Sequence, residues 1–178
     1  MTLSSEAALV DGLIEAIPDF PQKGVTFRDL TPVFADGAAL KALATALTRP
    51  FEGHFDSIGG LEARGFLIAG AASVVSGAGV LSVRKAGKLP RAVLSQEYAL
   101  EYGTAAFEVH VGQLPAGSRV LIIDDVLATG GTALAAVNLI ERAGWHVAGF
   151  AVALELDGLG GRSKLEERGV ETFSLLQY

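Results

Sequence analysis

The sequence predicts an α/β protein built on a doubly wound, mostly parallel sheet flanked by helices, and three observations carry that prediction. An apolar run without alternation, Val120-Leu121-Ile122-Ile123, is what a strand covered on both faces requires, and Ser57-Ile58-Gly59-Gly60-Leu61 reads as the first core strand, its glycines marking close backbone approach. Strand-like and helix-like segments then alternate from Ser57 to Leu154, the signature of parallel strands joined by crossover helices. Length sets the scale: 178 residues, half of them apolar, suit a single domain over residues 1–178 with one substantial core.

In chain order, apolar residues at helical spacing from Ala7 to Ile17, stopped by Pro18, predict a first helix over Glu6 to Ile17. Residues 18–24 read as loop, and Val25 to Pro32 as a short extended segment leading to a turn. Ala38 to Phe51 is a second amphipathic helix, Ser57 to Leu61 the first core strand, and Phe66 to Ser76 an alanine-rich helix. Gly79 to Val83 is a strand, followed by a basic loop from Arg84 to Arg91. Alternation in Ala92 to Tyr98 and again in Ala105 to Val111 predicts a projecting hairpin. After the strand Val120 to Ile123 comes a helix over Ala133 to Arg142, with Gly144 placed to end it. His146 to Leu154 and Val170 to Leu175 are further strands, and Trp145 is assigned to packing. The N-terminal segment and the tail from Glu155 fall outside the alternation and are expected to form a small lid over the sheet's edge.

Composition removes several functions. The chain has no cysteine, so disulfides, thiolate metal sites and a cysteine nucleophile are excluded. No run approaches the roughly 20 apolar residues of a membrane helix, and the opening residues lack the basic start of a secretion signal. A soluble cytoplasmic protein with no membrane partner is expected. A net charge of −6 argues against a nucleic-acid partner, which calls for a basic surface. His54, His110 and His146 have no metal-ligand spacing, and no protein-built metal site is expected.

The chemistry starts at Asp124 and Asp125, adjacent carboxylates at the carboxyl end of an apolar strand, where open α/β sheets bind ligands. Ala128, Thr129, Gly130, Gly131 and Thr132 follow at once. Their small side chains let the backbone approach a ligand closely, and the two hydroxyls add donors. Thr132 is placed to cap the next helix. A phosphate there would meet free N–H groups and the positive end of the helix dipole. The loop is neither a Walker A motif nor a dinucleotide fingerprint, since it lacks both glycine patterns. A second phosphate-directed feature is Gly59 to Phe66, with Glu62 and Arg64 beside glycines. The segment Arg84, Lys85, Lys88 and Arg91, four cations in eight residues, reads in isolation as a solvated surface loop and, paired with a ribose-phosphate motif, as a candidate for neutralising a leaving diphosphate.

The acid pair and its glycine-bearing turn resemble the phosphoribosyl-diphosphate motif of the type I phosphoribosyltransferases, whose acids hold the ribose 2′ and 3′ hydroxyls and whose loop holds the 5′-phosphate. Further segments are similar to the adenine phosphoribosyltransferases: Ile17-Pro18-Asp19-Phe20-Pro21, Gly24-Val25-Thr26-Phe27-Arg28-Asp29, Glu62-Ala63-Arg64-Gly65-Phe66, Arg84-Lys85, Gly87-Lys88-Leu89-Pro90, Leu100-Glu101-Tyr102-Gly103-Thr104 and Phe173 to Tyr178. The resemblance spans nearly the whole chain and implies the type I phosphoribosyltransferase fold. It also implies transfer of the 5-phosphoribosyl group from 5-phosphoribosyl 1-diphosphate to adenine, giving AMP and diphosphate. Two departures stand out: Thr26 where valine is usual, and Ala86 where many relatives have proline.

The resemblance assigns roles. Arg64, Arg84, Lys85, Lys88 and Tyr102 would meet the diphosphate, and Arg64 and Lys88 would serve catalysis with Glu101, the candidate for proton handling at the purine. Phe27 and Leu156 would sandwich the base, while main-chain groups of Thr26 and Arg28 read its edge. The loop at Glu62-Ala63-Arg64 would carry a non-proline cis peptide. Mg²⁺ would be bound mainly through substrate diphosphate, and a homodimer is implied in which Arg84 can reach the neighbour's site. Two alternatives stay open at this point: transfer to hypoxanthine, guanine or xanthine, and a non-catalytic regulator that senses the donor.

Overall fold

A computed structural model describes residues 3–99 and 103–178. The elements in chain order are α1 (Ser5–Asp11), β1 (Glu15–Pro18), β2 (Thr26–Asp29), α2 (Thr31–Ala35), α3 (Gly37–Thr48), β3 (Ser57–Leu61), α4 (Arg64–Ser76), β4 (Gly79–Lys85), β5 (Val93–Ala99), β6 (Thr104–His110), β7 (Arg119–Leu127), α5 (Gly131–Arg142), β8 (His146–Glu155), α6 (Gly161–Glu166) and β9 (Thr172–Gln177). Among the described residues seven strands form one sheet in the order β5-β6-β4-β3-β7-β8-β9. The five from β4 to β9 run parallel, and the β5–β6 hairpin adds an antiparallel edge.

Burial on both faces explains the unalternating runs. All five residues of β3 are buried. Along β7, Val120 and Ile122 point to one side, into a core with α5 and Trp145, while Leu121 and Ile123 point to the other, into a core with α1, α3 and α4. Each such side chain contributes about 1.5–3 kcal/mol on leaving water. Trp145 is buried and its Nε1 donates to the Leu114 carbonyl at 3.2 Å, in keeping with packing.

Chain order places a switch point in the sheet. From β3 the chain crosses through α4 to β4 on one side, yet β3's other neighbour is β7. That reversal is a topological switch point between the carboxyl ends of β3 and β7, the position at which open α/β sheets bind ligands.

The structure corrects several boundaries. The predicted first helix ends at Asp11. Gly12 closes it, and Ile17 lies in β1, paired with Phe27 of β2, because strand pairing here outweighs the helical spacing of the apolar residues. The strand after α4 runs on through Arg84 and Lys85, which pair with Glu108 and Phe107 of β6, so these two cations belong to a strand rather than to a loop. By the same pairing the hairpin joins the sheet. Thr132 does not cap α5: the capping residue is Gly130, at φ +80°, with no side-chain hydrogen bond. The C-terminal tail adds α6 and the parallel edge strand β9 to the sheet. The lid is the β1–β2 hairpin, met by Tyr178 of the tail.

Candidate functional site

The site forms where β3 and β7 end. Asp124 and Asp125 occupy the sixth and seventh positions of the nine-residue β7, so the strand continues past them rather than stopping at them. Asp125 is buried, and its carboxylate pairs with the Arg64 guanidinium at 2.7 Å. The Asp125 N–H donates to Asp124 Oδ1 at 2.9 Å. Burial and the neighbouring Asp125 charge push the Asp124 carboxyl well above the usual carboxylate range. Close approach depends on Gly65: a β-carbon there would stand 2.8 Å from the Ile123 carbonyl and 3.1 Å from Asp124 Oδ1. The amino end of α4 can therefore rest against the acids.

Arg64 extends this group toward the lid. Its guanidinium carbon lies 5.7 Å from the centre of the Phe27 ring, which Phe20 meets edge-on at 5.3 Å. Phe27, Arg64 and Asp125 are thus contiguous, although they come from β2, α4 and β7.

On the far side of the acids is the turn Ala128 to Thr132. Gly130 adopts the left-handed conformation, and Leu134 donates to its carbonyl at 2.9 Å as α5 begins. With no side-chain cap, the first N–H groups of the helix are free to meet an anion. The turn is braced from behind by α6. A β-carbon on Gly130 would stand 3.0 Å from Gly161 Cα, and Lys164 donates to the Thr129 carbonyl at 2.7 Å. Leu156 adjoins the same turn, its N–H donating to the Leu127 carbonyl at 2.9 Å.

Sequence reasoning left Glu62 without a role, and the structure makes it the hub of the basic segment. One carboxylate oxygen accepts the Lys85 N–H at 2.9 Å and lies 3.5 Å from Arg84 Nε; the other accepts from the Lys88 ammonium. Burial pushes the Glu62 carboxyl up, but Lys88, the Lys85 N–H and Arg84 together outweigh it and hold the group below its ordinary value. Glu108 accepts the Gly87 N–H at 2.9 Å. The available signal was an acid at a strand end directly before Arg64. The Glu62–Ala63 peptide is cis, as the resemblance implied.

Arg64, Asp124, Asp125, Phe27 and the 128–132 turn are therefore brought together, with Leu156 beside the turn and Arg84 and Lys88 around Glu62. The side chain of Lys85 is exposed. Glu101 and Tyr102 lie outside the described residues. Thr26 and Arg28 are on β2, either side of Phe27. A cavity of about 880 Å³ lies elsewhere, lined by Thr45, Arg49, Asp56, Val74 and their neighbours.

This arrangement, an acid pair at a switch point followed by an uncapped helix start, lies within a match to the phosphoribosyl transferase domain. The model of that domain matches residues 34–175. The chain is 60% identical over 157 residues to an adenine phosphoribosyltransferase of Arthrobacter sp. (strain FB24), covering 88% of this chain and 85% of the relative. Among solved structures, an adenine phosphoribosyltransferase of Thermoanaerobacter pseudethanolicus superposes with a TM-score of 0.89 at 43% identity, covering 97% of this chain and 99% of that one. One from Saccharomyces cerevisiae, complexed with an imino-altritol bisphosphate and adenine, does so at 0.89 and 39% identity over 97% and 99%. The chain belongs to the adenine phosphoribosyltransferase family.

Proposed function

We propose that this chain, as one catalytic domain, transfers the 5-phosphoribosyl group from 5-phosphoribosyl 1-diphosphate to adenine, releasing AMP and diphosphate. The observation that carries the reading is the acid pair of β7 followed within a few residues by the uncapped start of α5 at Gly130. Asp124 and Asp125 hold the ribose hydroxyls, and Ala128, Thr129, Gly130, Gly131 and Thr132 enclose the 5′-phosphate. The purine imidazole nitrogen bonds to the anomeric carbon as the carbon–oxygen bond to diphosphate breaks. Charge builds on the leaving group, which Arg64, Arg84, Lys85 and Lys88 stabilise and which Tyr102 helps to bind. Glu101 takes the proton lost from the purine ring. Phe27 and Leu156 hold the two faces of the base, and main-chain groups of Thr26 and Arg28 read its edge.

Mg²⁺ fits this donor set in a limited way. The acids offer adjacent carboxylate oxygens, of which Asp125 Oδ2 already faces the Arg64 guanidinium at 2.7 Å, and no cluster of three or more ligating side chains occurs among the described residues. Such a set suits a hard cation carried largely by substrate oxygens; when bound, it neutralises diphosphate charge.

A cytoplasmic homodimer completes the reading. No helix among the described residues is long and apolar enough to cross a membrane. Support for the dimer comes from α4 and the adjoining strand β4, where Leu67, Val74, Val75 and Val80 are exposed, Val74 at 85%. Such a stripe is suited to burial against a second copy.

The test is a base panel: labelled donor, Mg²⁺ and adenine, hypoxanthine, guanine or xanthine, with products separated by chromatography. AMP is expected, at a rate far above any other nucleotide. Preference for another purine would overturn the adenine assignment, and donor binding without diphosphate release for any base would overturn catalysis.

A further inference from the structure

Tyr178 is a residue to which the reaction gives no role, yet it touches three parts of the fold. Its hydroxyl donates to the Asp11 carboxylate at the end of α1. The Arg28 guanidinium of β2 lies over its ring, 4.1 Å from the centre. Its main chain bonds on both sides of Leu156: the Tyr178 N–H donates to the Glu155 carbonyl at 3.0 Å, and the Asp157 N–H donates to the Tyr178 main-chain oxygen at 2.8 Å. One residue therefore holds the neighbours of Phe27 and the neighbours of Leu156.

The lid needs such a hold. A two-stranded hairpin alone is marginal in water, and β1 is exposed along its whole length while β2 is only half-buried. The Arg28 cation is attracted to the face of the Tyr178 ring, and half-buried Tyr178 adds a hydrogen bond to a charged acceptor. Burial and the Asp11 carboxylate push the Tyr178 hydroxyl up to about 12, so it remains a donor throughout the neutral range.

We propose that Tyr178 is a positioning residue for the base: it clasps the lid strand bearing Phe27 to the end of β8 bearing Leu156, and so sets the gap that the purine fills. The proposal rests on the reading that Phe27 and Leu156 hold the two faces of the base. Tyr178 does not touch the base itself.

The test is steady-state kinetics on the full chain with each substrate varied in turn, using Tyr178→Ala, Tyr178→Phe and, as a control on the base site, Phe27→Ala. Tyr178→Ala is expected to raise the KM for adenine about tenfold, while kcat at saturating adenine and the KM for the donor change less than about twofold. Tyr178→Phe keeps the ring under Arg28 and is expected to restore most of the loss. If Phe27→Ala raises the adenine KM and Tyr178→Ala does not, the clasp is refuted and the base site stands. If Tyr178→Ala raises both KM values together, it acts as a general stabiliser and the proposal fails. If Phe27→Ala leaves the adenine KM unchanged, the base-site reading falls and the clasp with it.

Discussion

Replacing Arg162 by methionine should destabilise the protein strongly, because it strands a buried carboxylate. Glu155, at the end of β8, is 6% exposed. It accepts from Arg162 Nε at 2.9 and 3.0 Å, from Ser174 Oγ at 2.7 Å and from Gln177 at 3.2 Å, while Arg162 also donates to the Thr172 carbonyl at 2.8 Å. Removing one partner of a buried pair costs about 3–5 kcal/mol. A chain of this size loses roughly 2–4 °C in Tm per kcal/mol, so a fall of about 6–20 °C is expected by calorimetry at pH 7. Replacing Glu155 by leucine in the same variant should recover more than half of it, since removing both charges is near neutral.

The pH dependence has a definite sign. Burial pushes the Glu155 carboxyl up, but Arg162, Ser174 and Gln177 outweigh it and hold the group below its ordinary value. Its contribution is therefore present above the unfolded carboxylate pKa of about 4.3 and is lost as pH falls through the lower, folded value. In Arg162→Met burial acts with less opposition and the folded pKa rises, so the variant's deficit should shrink toward pH 4.5. A fall below 3 °C at pH 7, or a deficit independent of pH, would refute the reasoning. The donor KM should rise as well, because this pair anchors the helix that braces the phosphate turn.

Three further outcomes are expected. Gly130→Ala forces a β-carbon to 3.0 Å from Gly161 Cα at φ +80°, a strain of about 1–3 kcal/mol; initial-rate kinetics should show the donor KM raised at least tenfold with the adenine KM little changed. Glu101→Gln should lower kcat by roughly 10²-fold or more, and unchanged turnover would remove Glu101 from proton handling. Val74→Asp places a charge on the exposed stripe of α4, and light scattering should find the chain's mass halved from dimer to monomer.

Long-range packing decided which features were legible in the sequence. Ser57 to Leu61 matched its strand residue for residue, because its glycines mark the close packing of a strand buried on both faces. The acids and the 128–132 turn were legible because strand, carboxylates and helix start are contiguous in the chain. Ile17 was misread because its partner Phe27 is across a hairpin, and local periodicity does not record pairing. Arg84 and Lys85 looked like loop because two of their strand's bonds come from β6, more than twenty residues on. Glu62 draws its meaning from Lys88, and Tyr178 from Asp11 and Arg28; no spacing rule connects such distant positions.

The clamping of the basic segment by Glu62 and Glu108 has an electrical consequence. Cations that stand out in the sequence are set among carboxylates in the fold, within a chain of net charge −6. Two carboxylates against four cations offset about half of the segment's charge, and with a net charge of −6 on the whole chain little attractive field is left beyond a Debye length of about 8 Å to meet an approaching polyanion. In the proposed reaction, capture of the donor then depends on contacts made after arrival rather than on steering through solution. Its association rate should vary only weakly with ionic strength.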